Sequence, residues 1–334
     1  MRRPTFAEIA ASAGVSLATA ERVLNGRGGV SRDKVQRVVA AARTLGYDRR
    51  LPDIHQGIVR VEIILARPET DFYRRLADMF EQLAQTLNAK VSLHRTVMGE
   101  DPDAFAARIL GSDLRRAGLI VAGPDHPAVR DALNRVRAEG THVIQIVSRA
   151  LGVEGDYVGI DNYSAGRTAA MYMARMSRRA GAVVALCPGG QVEAHRERIR
   201  GFGDYFEAHP GGGLDFGQLL FSRDESATSA AALQDCLDGR PDVVGLYNTG
   251  GHNAVLCKVL RGHLRGRQVF FVGHELNPRS AEALRTGVMQ VVLDQSPEIQ
   301  AQRALDLMMH RMGLTARPVA NPPIRFITVT AENL

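Results

Sequence analysis

Tryptophan is absent from this sequence of 334 residues, and cysteine occurs only three times, at Cys187, Cys236 and Cys257. The cysteines are far apart and form no Cys-x-x-Cys pair, so we expect three reduced, structural thiols and no metal site. No stretch approaches the roughly 18 consecutive apolar residues of a membrane helix, and the N-terminus lacks the apolar core of an export signal. These absences predict a cytoplasmic protein without a membrane partner.

Motifs of catalysis are missing as well. The sequence has no G-x-S-x-G elbow, no HExxH, no Walker loop and no G-x-G-x-x-G after a predicted strand. His195 and Cys187 lie eight residues apart, but neither has a recognisable acid or base partner. We therefore predict no enzymatic activity, no catalytic residues and no cofactor.

Positive charge is concentrated at the start of the chain. The formal net charge is +6, and residues 1–60 account for all of it, with 11 Lys and Arg against 5 Asp and Glu. The remaining residues hold 31 of each sign and are neutral. Such a small basic module is typical of a protein that meets a polyanion, although a solvated basic surface without a partner has the same composition.

The start of the chain has the pattern of three short helices. Thr5 and Glu8 form a capping-box pattern, and Gly14 is a stop signal for the first helix. Ser16 and Ser31 are predicted N-caps of the next two helices. Two helices joined by a tight glycine turn make a helix-turn-helix, in which the second helix is free to enter a major groove of DNA.

Beyond Tyr47, predicted strands and helices alternate. A strand at 59–66 precedes an amphipathic helix at 72–87, three more strands follow, and a second set begins near Ala182. This alternation implies parallel strands wrapped by helices. The pattern predicts two similar α/β units, which bind ligands at the carboxyl ends of their strands and in the cleft between them.

The segment IAASAGVSLATAERVLN resembles the N-terminus of the LacI/GalR family of bacterial transcription regulators. The family pattern is Ile/Val-Ala-x-x-Ala-Gly-Val-Ser-x-x-Thr-Val-Ser-Arg-Val-Leu-Asn, and this chain departs from it at Ala20 and Glu21. The body resembles the type I periplasmic sugar-binding fold, particularly the ribose-binding proteins. The segments that carry this second resemblance are YVGIDNYSAGRTAAMYMA, HRERIRGF, FVGHELN and LDQSPEIQAQRAL.

The resemblance implies an all-α helix-turn-helix head followed by two doubly wound parallel-sheet α/β subdomains of the periplasmic-binding-protein type I. The implied boundaries are a DNA-binding domain at 1–50, a linker at 51–58 and a ligand-binding domain at 59–334, with an N-subdomain at about 59–161 plus 292–322 and a C-subdomain at about 162–291 plus 323–334. Family members with a minor-groove hinge helix carry Pro-Asn-x-x-Ala-x-x-Leu in the linker. Here DRRLPDIHQG stands in its place, so the sequence does not predict a leucine wedge.

On the second helix, the resemblance implies direct contacts with DNA. Leu17 and Ala18 stand at positions that reach base edges in the family, and their apolar side chains would contact thymine methyl groups or sense shape. Arg22 is the side chain first expected to form hydrogen bonds with a base edge, and a phosphate contact or an intramolecular pair is the alternative. Glu21 either accepts from a cytosine amino group or pairs with Arg22 or Arg27.

Further DNA contacts are expected from polar side chains around these helices. Hydroxyls near helix N-termini suit phosphate oxygens as well as capping, and Asn25 is either a contact to the DNA backbone or a helix C-cap. The complete set of expected DNA-contacting residues is Thr5, Ser16, Leu17, Ala18, Thr19, Arg22, Asn25, Ser31, Tyr47, Arg49 and Arg50.

In the predicted cleft, a sugar ring would have to stack on Phe72 or Tyr73, because no tryptophan is available. These two align with the aromatic pair of ribose-binding proteins, and core residues of the following helix are the alternative. The resemblance also implies that Arg149 is a sugar-clamping arginine. Arg198 matches the second arginine of the family's R-x-R motif, and an arginine facing a cleft can bond two hydroxyls or one carboxylate.

The second α/β unit contributes the remaining expected ligand contacts. Asn248 or Thr249 falls at an Asn/Asp position of the family, and the two glycines that follow leave the register open. Glu275 stands where the family has an aspartate, Gln295 matches its strand-crossing glutamine, and His274 is expected to be structural. Two arginines against one glutamate leave the cleft mildly positive, so a neutral sugar or polyol is the first expectation and a sugar acid or sugar phosphate the alternative.

These features predict a DNA-binding transcriptional repressor of the LacI type. We expect it to bind double-stranded operator DNA as a homodimer, with an affinity controlled by a small carbohydrate-like effector in the cleft. The alternative is a sugar receptor without DNA function, which would carry an export signal and would not need the basic head. An enzyme is the least favoured reading.

Overall fold

The structure is a computed structural model that describes residues 4–47, 58–67, 69–87, 89–112, 115–189, 192–223, 225–263, 269–315 and 317–334. The chain divides into two compact units, between Val59 and Arg60. Residues 51–57 of the predicted linker, with Arg49 and Arg50, lie outside the described residues. Within the described part, no helix is both long and apolar enough to cross a bilayer.

The first unit is the predicted helix-turn-helix. Thr5 Oγ1 accepts a hydrogen bond from the Glu8 N–H, and the Glu8 carboxylate accepts one from the Thr5 N–H, which confirms the capping box. Gly14 ends the first helix in the left-handed conformation, at φ 61°. Ile9 and Ala20 are fully buried in the small core between the helices. The three helices are α1 (Phe6–Ala13), α2 (Leu17–Leu24) and α3 (Arg32–Thr44).

The second unit begins with a five-stranded sheet in the order β2-β1-β3-β4-β5. Strand β1 pairs with β3, β3 with β4 and β4 with β5, all in parallel. Strands β1 and β3 are buried almost throughout, as expected for strands covered by helices on both faces. The elements are β1 (Val59–Ala66), α4 (Asp71–Thr86), β2 (Val91–Met98), α5 (Pro102–Leu110), β3 (Gly118–Ala122), α6 (Pro127–Ala138), β4 (His142–Ile146) and β5 (Asp156–Val158).

A second sheet of six strands follows, in the order β11-β10-β9-β8-β6-β7. Its ladders are parallel except for the antiparallel pair of β10 and β11. The elements are α7 (Asn162–Met176), β6 (Gly181–Cys187), α8 (Glu193–Ala208), β7 (Leu214–Phe221), α9 (Ser226–Gly239), β8 (Val243–Asn248), α10 (Asn253–Gly262), β9 (Phe270–His274), α11 (Pro278–Arg285), β10 (Val291–Asp294), α12 (Pro297–Arg311) and β11 (Ile327–Val329).

The chain passes between the two sheets near both ends of this second set. Helix α12 leaves the second sheet after β10 and packs against α4 and β4 of the first subdomain. The predicted boundary at residue 292 assigned most of β10 to the first subdomain, but Val292 pairs with Gly273 and Val329 of the second sheet. The apolar run of this strand would fit either sheet, so only the pairing places the crossing after Asp294.

Helices α7 and α8 approach each other through their main chains. A Cβ atom added to Gly166 would overlap the Arg198 carbonyl, and one added to Gly201 would overlap the Tyr163 carbonyl. Because both glycines lack a side chain, the helices pack closely enough for the Asn162 side chain to reach Arg198. This contact fixes the position of a buried arginine at the edge of the second sheet.

Candidate functional site

Helix α2 exposes the face on which base-reading residues were predicted. Leu17 is 47% exposed, and Ala18, Glu21 and Arg22 are also exposed. The opposite face buries Ala20 and its apolar neighbours in the core of the head. The guanidinium of Arg22 lies beside Gly29 in the turn before α3. The helix therefore presents a mixed apolar and charged surface of the kind that reads base edges.

The polar residues around α2 also have roles within the head. Ser16 Oγ accepts from the Thr19 N–H at 3.3 Å and lies 2.8 Å from Thr19 Oγ1. Ser31 is exposed. Asn25 is the C-cap of α2, at φ −92° and so outside the left-handed region. The left-handed residue is the adjacent Gly26, at φ 65°.

Tyr47 is half-buried at the end of the head. Its ring packs against Phe6, with 5.9 Å between ring centroids. The tyrosine thus contributes to the small core of the first unit, and a contact with DNA remains a prediction for it.

In the second unit, the carboxyl ends of strands from both sheets surround one cavity of about 180 Å³. Arg67 follows β1, Ser148 follows β4, Glu275 follows β9 and Gln295 follows β10, and all four line the cavity. Ligands of parallel α/β sheets bind at this edge. The cavity therefore lies where the fold favours a small-molecule site.

Unusual backbone conformations are concentrated around the cavity. Arg67 (φ 57°), Val147 (φ 72°), His252 (φ 64°) and Glu275 (φ 70°) all have positive φ and all line it. Such conformations cost free energy in residues with a side chain and are commonly retained where a ligand is held. Their clustering supports a binding role for the cavity.

The wall from the first subdomain carries the aromatic pair. Phe72 and Tyr73 begin helix α4, and their rings meet edge to face with 5.2 Å between centroids. Arg67 lies on the same side, paired with Glu100 at 2.5 Å. This wall offers an apolar ring surface beside a neutralised ion pair.

The wall from the second subdomain carries a hydrogen-bonded pair of Glu275 and Gln295. Gln295 Nε2 donates to Glu275 Oε1, while Glu275 Oε2 and Gln295 Oε1 are buried without a hydrogen-bond partner among the described residues. Burial raises the pKa of Glu275 to about 8, and the nearby Asp294 carboxylate adds to this shift. At neutral pH, Glu275 is therefore mostly protonated and can donate as well as accept.

Arg198 is buried in the same wall, with 3% of its surface exposed. Its Nε donates to Asn162 Oδ1 at 2.8 Å, and its Nη1 donates to the Thr249 carbonyl at 2.7 Å. His274 lies nearby, with its Nε2 2.9 Å from the Tyr247 hydroxyl. Burial lowers the pKa of His274 well below its ordinary value, and the Arg198 and His195 charges lower it further, so His274 is neutral.

Side chains of the two subdomains meet across the cavity mouth. Arg196 of α8 pairs with Asp125 of the first subdomain at 3.1 Å, and the Ala194 N–H donates to Ser148 Oγ at 3.3 Å. Although burial opposes the change, hydrogen bonds from Arg130 and Arg196 lower the pKa of Asp125. These contacts hold the subdomains together over the cavity.

A second contact between the subdomains lies behind the cavity, at the crossing. Arg75 of α4 donates to Asp294 Oδ1 at 2.9 Å, to Glu298 Oε1 at 2.8 Å and to the Leu276 carbonyl at 2.9 Å. One side chain thus joins α4, the end of β10, α12 and the loop after β9. Among the described residues, no group of three or more His, Cys, Asp or Glu side chains could hold a metal ion.

Two family models match the chain. Residues 61–313 match the periplasmic binding protein domain, and residues 5–50 match the bacterial regulatory proteins of the lacI family. The chain belongs to the periplasmic binding protein domain family and begins with a domain of the lacI family.

Two HTH-type transcriptional regulators align with the chain to different extents. HTH-type transcriptional regulator MalR of Streptomyces coelicolor is 32% identical over 204 residues, which are 59% of this chain and 57% of that protein. HTH-type transcriptional regulator CelR of Thermobifida fusca is 28% identical over 340 residues, covering 95% of both chains. The chain thus spans less than two thirds of MalR and nearly all of CelR.

Solved structures resemble the second unit. GanP, a glucose-galactose binding protein from Geobacillus stearothermophilus, has a TM-score of 0.74 at 19% identity, covering 84% of this chain and 99% of GanP. A solute binding protein from Burkholderia graminis in complex with D-arabinose has a TM-score of 0.73 at 17% identity, covering 84% and 98%. At these identities the likeness shows the fold alone.

The structure brings five of the predicted ligand contacts into one cavity. Phe72, Tyr73, Arg198, Glu275 and Gln295 all line it. Each lies in the turn after a strand or in the first turns of a helix. Ligands of parallel sheets bind at the carboxyl ends of the strands, so these positions and the family motifs both indicated the five residues.

Arg149 does not line the cavity, contrary to the sequence-based prediction. Its guanidinium stacks over the Tyr157 ring at 4.4 Å from the centroid, in a separate pocket that Glu193 also lines. The positive φ at Val147 turns the chain after β4, so Ser148 meets the cavity and Arg149 points elsewhere.

Asn248 and Thr249 are also absent from the cavity lining. Both are completely buried. Asn248 Nδ2 donates to the Gly251 carbonyl and to Asn253 Oδ1, at 2.6 and 2.8 Å, while Thr249 Oγ1 donates to the Leu186 carbonyl at 3.2 Å. These two residues shape the loop after β8, and the cavity is reached by the residues that follow them.

Several cavity residues were missed by the sequence analysis. Arg67, His252 and Asn253 line it at the ends of β1 and β8, and His195 lines it from the first turn of α8. Their position after predicted strands was the available signal. The left-handed conformation of His252, which directs the loop into the cavity, could not be anticipated because glycines immediately before it are the more usual hosts of positive φ.

Proposed function

We propose that this chain is a homodimeric transcriptional repressor whose affinity for operator DNA is controlled by a carbohydrate effector in the cavity of the second unit. The observation that carries the proposal is the presence, in one chain, of a lacI-family head at residues 5–50 and a periplasmic binding protein domain at 61–313. The concentration of the whole net charge in residues 1–60 supports a DNA-binding role for the head.

In the head, α2 enters the major groove. Arg22 reads a guanine edge, while Leu17 and Ala18 contact thymine methyl groups. Polar groups around this helix bind phosphates and set its register on the duplex. These phosphate contacts come from Thr5, Ser16, Thr19, Asn25, Ser31, Tyr47, Arg49 and Arg50.

In the cavity, a sugar ring packs against Phe72 and Tyr73 and bonds to Glu275 and Gln295. The unpaired buried oxygens of Glu275 and Gln295 support this assignment, because a ligand hydroxyl would satisfy them. The fold of this unit is that of sugar-binding proteins, including the glucose-galactose and D-arabinose binders named above.

The effector acts by stabilising the closed arrangement of the two subdomains. Contacts such as Arg196 with Asp125 then form more often, and the altered subdomain orientation changes the spacing of the two α2 helices of a dimer. By linkage, operator DNA must change the affinity for effector by the same factor as effector changes the affinity for DNA.

The test is an anisotropy titration of the full-length protein with a labelled fragment of its own promoter region, at several salt concentrations and with or without sugars. We expect salt-sensitive binding that shifts with effector. Arg22→Ala should relax discrimination at one base pair, whereas the matched change Arg27→Ala, at an exposed arginine outside the expected contact set, should leave base discrimination unchanged. An absence of salt-sensitive binding under every effector condition would contradict the proposal.

A further inference from the structure

Arg198 is a buried cation whose described partners are neutral. Only 3% of its surface is exposed, and its hydrogen bonds go to the Asn162 side-chain oxygen and the Thr249 carbonyl. Among the described residues, no carboxylate forms an ion pair with its guanidinium, and none accepts a hydrogen bond from its Nη2. A charge removed from water is costly unless an opposite charge accompanies it.

The other charged groups described around the cavity are either paired or, like Glu69 and Arg279, exposed to solvent. Arg67 pairs with Glu100 at 2.5 Å, and Asp71 pairs with Arg74 within the first turn of α4. Arg75, behind the cavity, pairs with two carboxylates. Arg198 is therefore the exception among the buried arginines described around this site.

The one carboxyl group close by in the same wall does not supply the missing charge. Glu275 bonds to Gln295, and its burial raises its pKa to about 8, so it is mostly neutral at pH 7. Histidines 195, 252 and 274 complete this wall without adding an anion. The wall thus has a net positive charge that an incoming ligand can balance.

Helix α10 points its N-terminus at the same place. Asn253 and Ala254, its first two residues, line the cavity, and the N-cap residue His252 makes no capping hydrogen bond through its side chain. The positive end of a helix dipole favours an anion, and the main-chain N–H groups of a first helical turn can bind one. This feature is independent of Arg198 and favours the same sign of ligand charge.

We propose that the effector is an acidic monosaccharide, whose carboxylate pairs with Arg198 and whose hydroxyls bond to Glu275 and Gln295. This inference rests on the proposed function of the cavity as the effector site. A carboxylate carries one negative charge, which matches the single charge of Arg198. A phosphate monoester carries about 1.5 to 2 negative charges at neutral pH, because its second pKa is about 6. The aromatic wall of Phe72 and Tyr73 is left for the uncharged face of the ring.

The test is calorimetric titration of the full-length protein at pH 7 with matched sugars. The panel comprises D-glucose, D-glucuronate and D-glucose 6-phosphate, the corresponding galactose series, and D-gluconate beside D-glucitol. We expect at least one carboxylated member to bind roughly tenfold or more tightly than its neutral counterpart, as expected for a charge-assisted bond in a buried site.

Variants of α8 identify the group responsible. Arg198→Gln should abolish the preference for the acid, and Arg198→Lys should keep part of it, because the charge remains while the planar fork is lost. Arg200→Gln is the matched control, since Arg200 lies on the same helix, is exposed and pairs with Glu197. If Arg198→Gln does not fold, as judged by circular dichroism, the inference is decided by the preference of the wild type for the acid and by the reduced preference expected of Arg198→Lys.

Three outcomes would count against the inference, and two further outcomes separate it from the proposed function. Equal or tighter binding of the neutral sugars, tighter binding of the phosphates, or no binding of any carboxylated member would overturn it. Neutral sugars that bind and shift operator affinity would refute only the acidic effector and leave the regulator intact. Acid binding without any salt-sensitive DNA binding would refute the proposed function and leave this inference standing.

Discussion

In the head, Leu17 and Arg22 stand exposed on one short helix, whereas in the second unit Arg198 and Gln295 are buried and come from α8 and the end of β10. The exposed set depends on local helix structure alone. The buried set requires two sheets, a crossing between them and a close helix pair. We therefore expect damage to the head to remove DNA recognition alone, and damage to the α7–α8 contact to remove the whole cavity.

The largest effect is expected from Gly201→Ala in the second unit. Its new Cβ would overlap the Tyr163 carbonyl, and main chain cannot give way as a side chain does, so we expect a loss of about 3 kcal/mol or more from the second unit. Thermal unfolding followed by circular dichroism measures it. The matched control is Gly203→Ala, whose Cβ would meet Phe216 at an ordinary 3.5 Å; this change should be neutral or stabilise α8 by up to about 1 kcal/mol. Equal effects of the two changes would disprove the close contact.

Arg22→Ala tests the head, and it should leave the second unit unaffected. Loss of a bidentate base contact should weaken operator binding by about 1–3 kcal/mol, with no change in sugar affinity or in the unfolding of the second unit. Anisotropy with operator DNA and calorimetry with sugar measure the two halves separately. A change in sugar affinity of the DNA-free protein would show that the two units are not independent at this residue.

The pH dependence of stability should reside in the second unit, because burial raises the pKa of Glu275 there. The folded state holds the Glu275 proton up to about pH 8, while the unfolded chain releases it near 4.5. The contribution of Glu275 to stability is therefore greatest below pH 4.5 and is lost as pH rises through 8. Relative to the wild type, Glu275→Gln should gain about 1–2 kcal/mol between pH 6 and pH 8. Parallel melting curves of the two proteins over that range would contradict the raised pKa.

The smallest expected effect concerns the cavity mouth. Arg196→Gln removes one partner of Asp125, which keeps its bonds to Arg130 and the Leu151 N–H. We expect sugar affinity to fall by less than about 1 kcal/mol, because a partly exposed ion pair contributes little. Calorimetry measures this, with Arg135→Gln as a control from an exposed pair remote from the cavity. A stronger loss would mean that Arg196 contacts the sugar itself.

The helical head was predictable from sequence almost residue by residue. The Thr5–Glu8 capping box, the Gly14 turn and the Ser16 cap are local signals that depend on neighbours three residues away. Cavity residues that follow a strand end, such as Phe72 and Gln295, were also located, because strand ends in a parallel sheet converge on one edge.

The predictions failed where the chain takes an unusual local path. Arg149 is displaced because Val147 adopts positive φ, and a valine gives no signal for that conformation. Asn248 and Thr249 are buried because the loop after β8 folds back on their side chains. Most of the strand at 291–294 was assigned to the first sheet, because its apolar run fits either sheet and only the pairing with Gly273 and Val329 places it in the second.

The glycine contact between α7 and α8 has a mechanical consequence. At Gly166 and Gly201 the main chains of the two helices lie together with no side chain between them, so we expect the pair to move as one body. Helix α7 begins directly after the first crossing from β5, and α8 carries Arg198. We therefore expect a rotation at that crossing to displace Arg198 with the helix pair, and a molecule bound to Arg198 to act on the crossing in return.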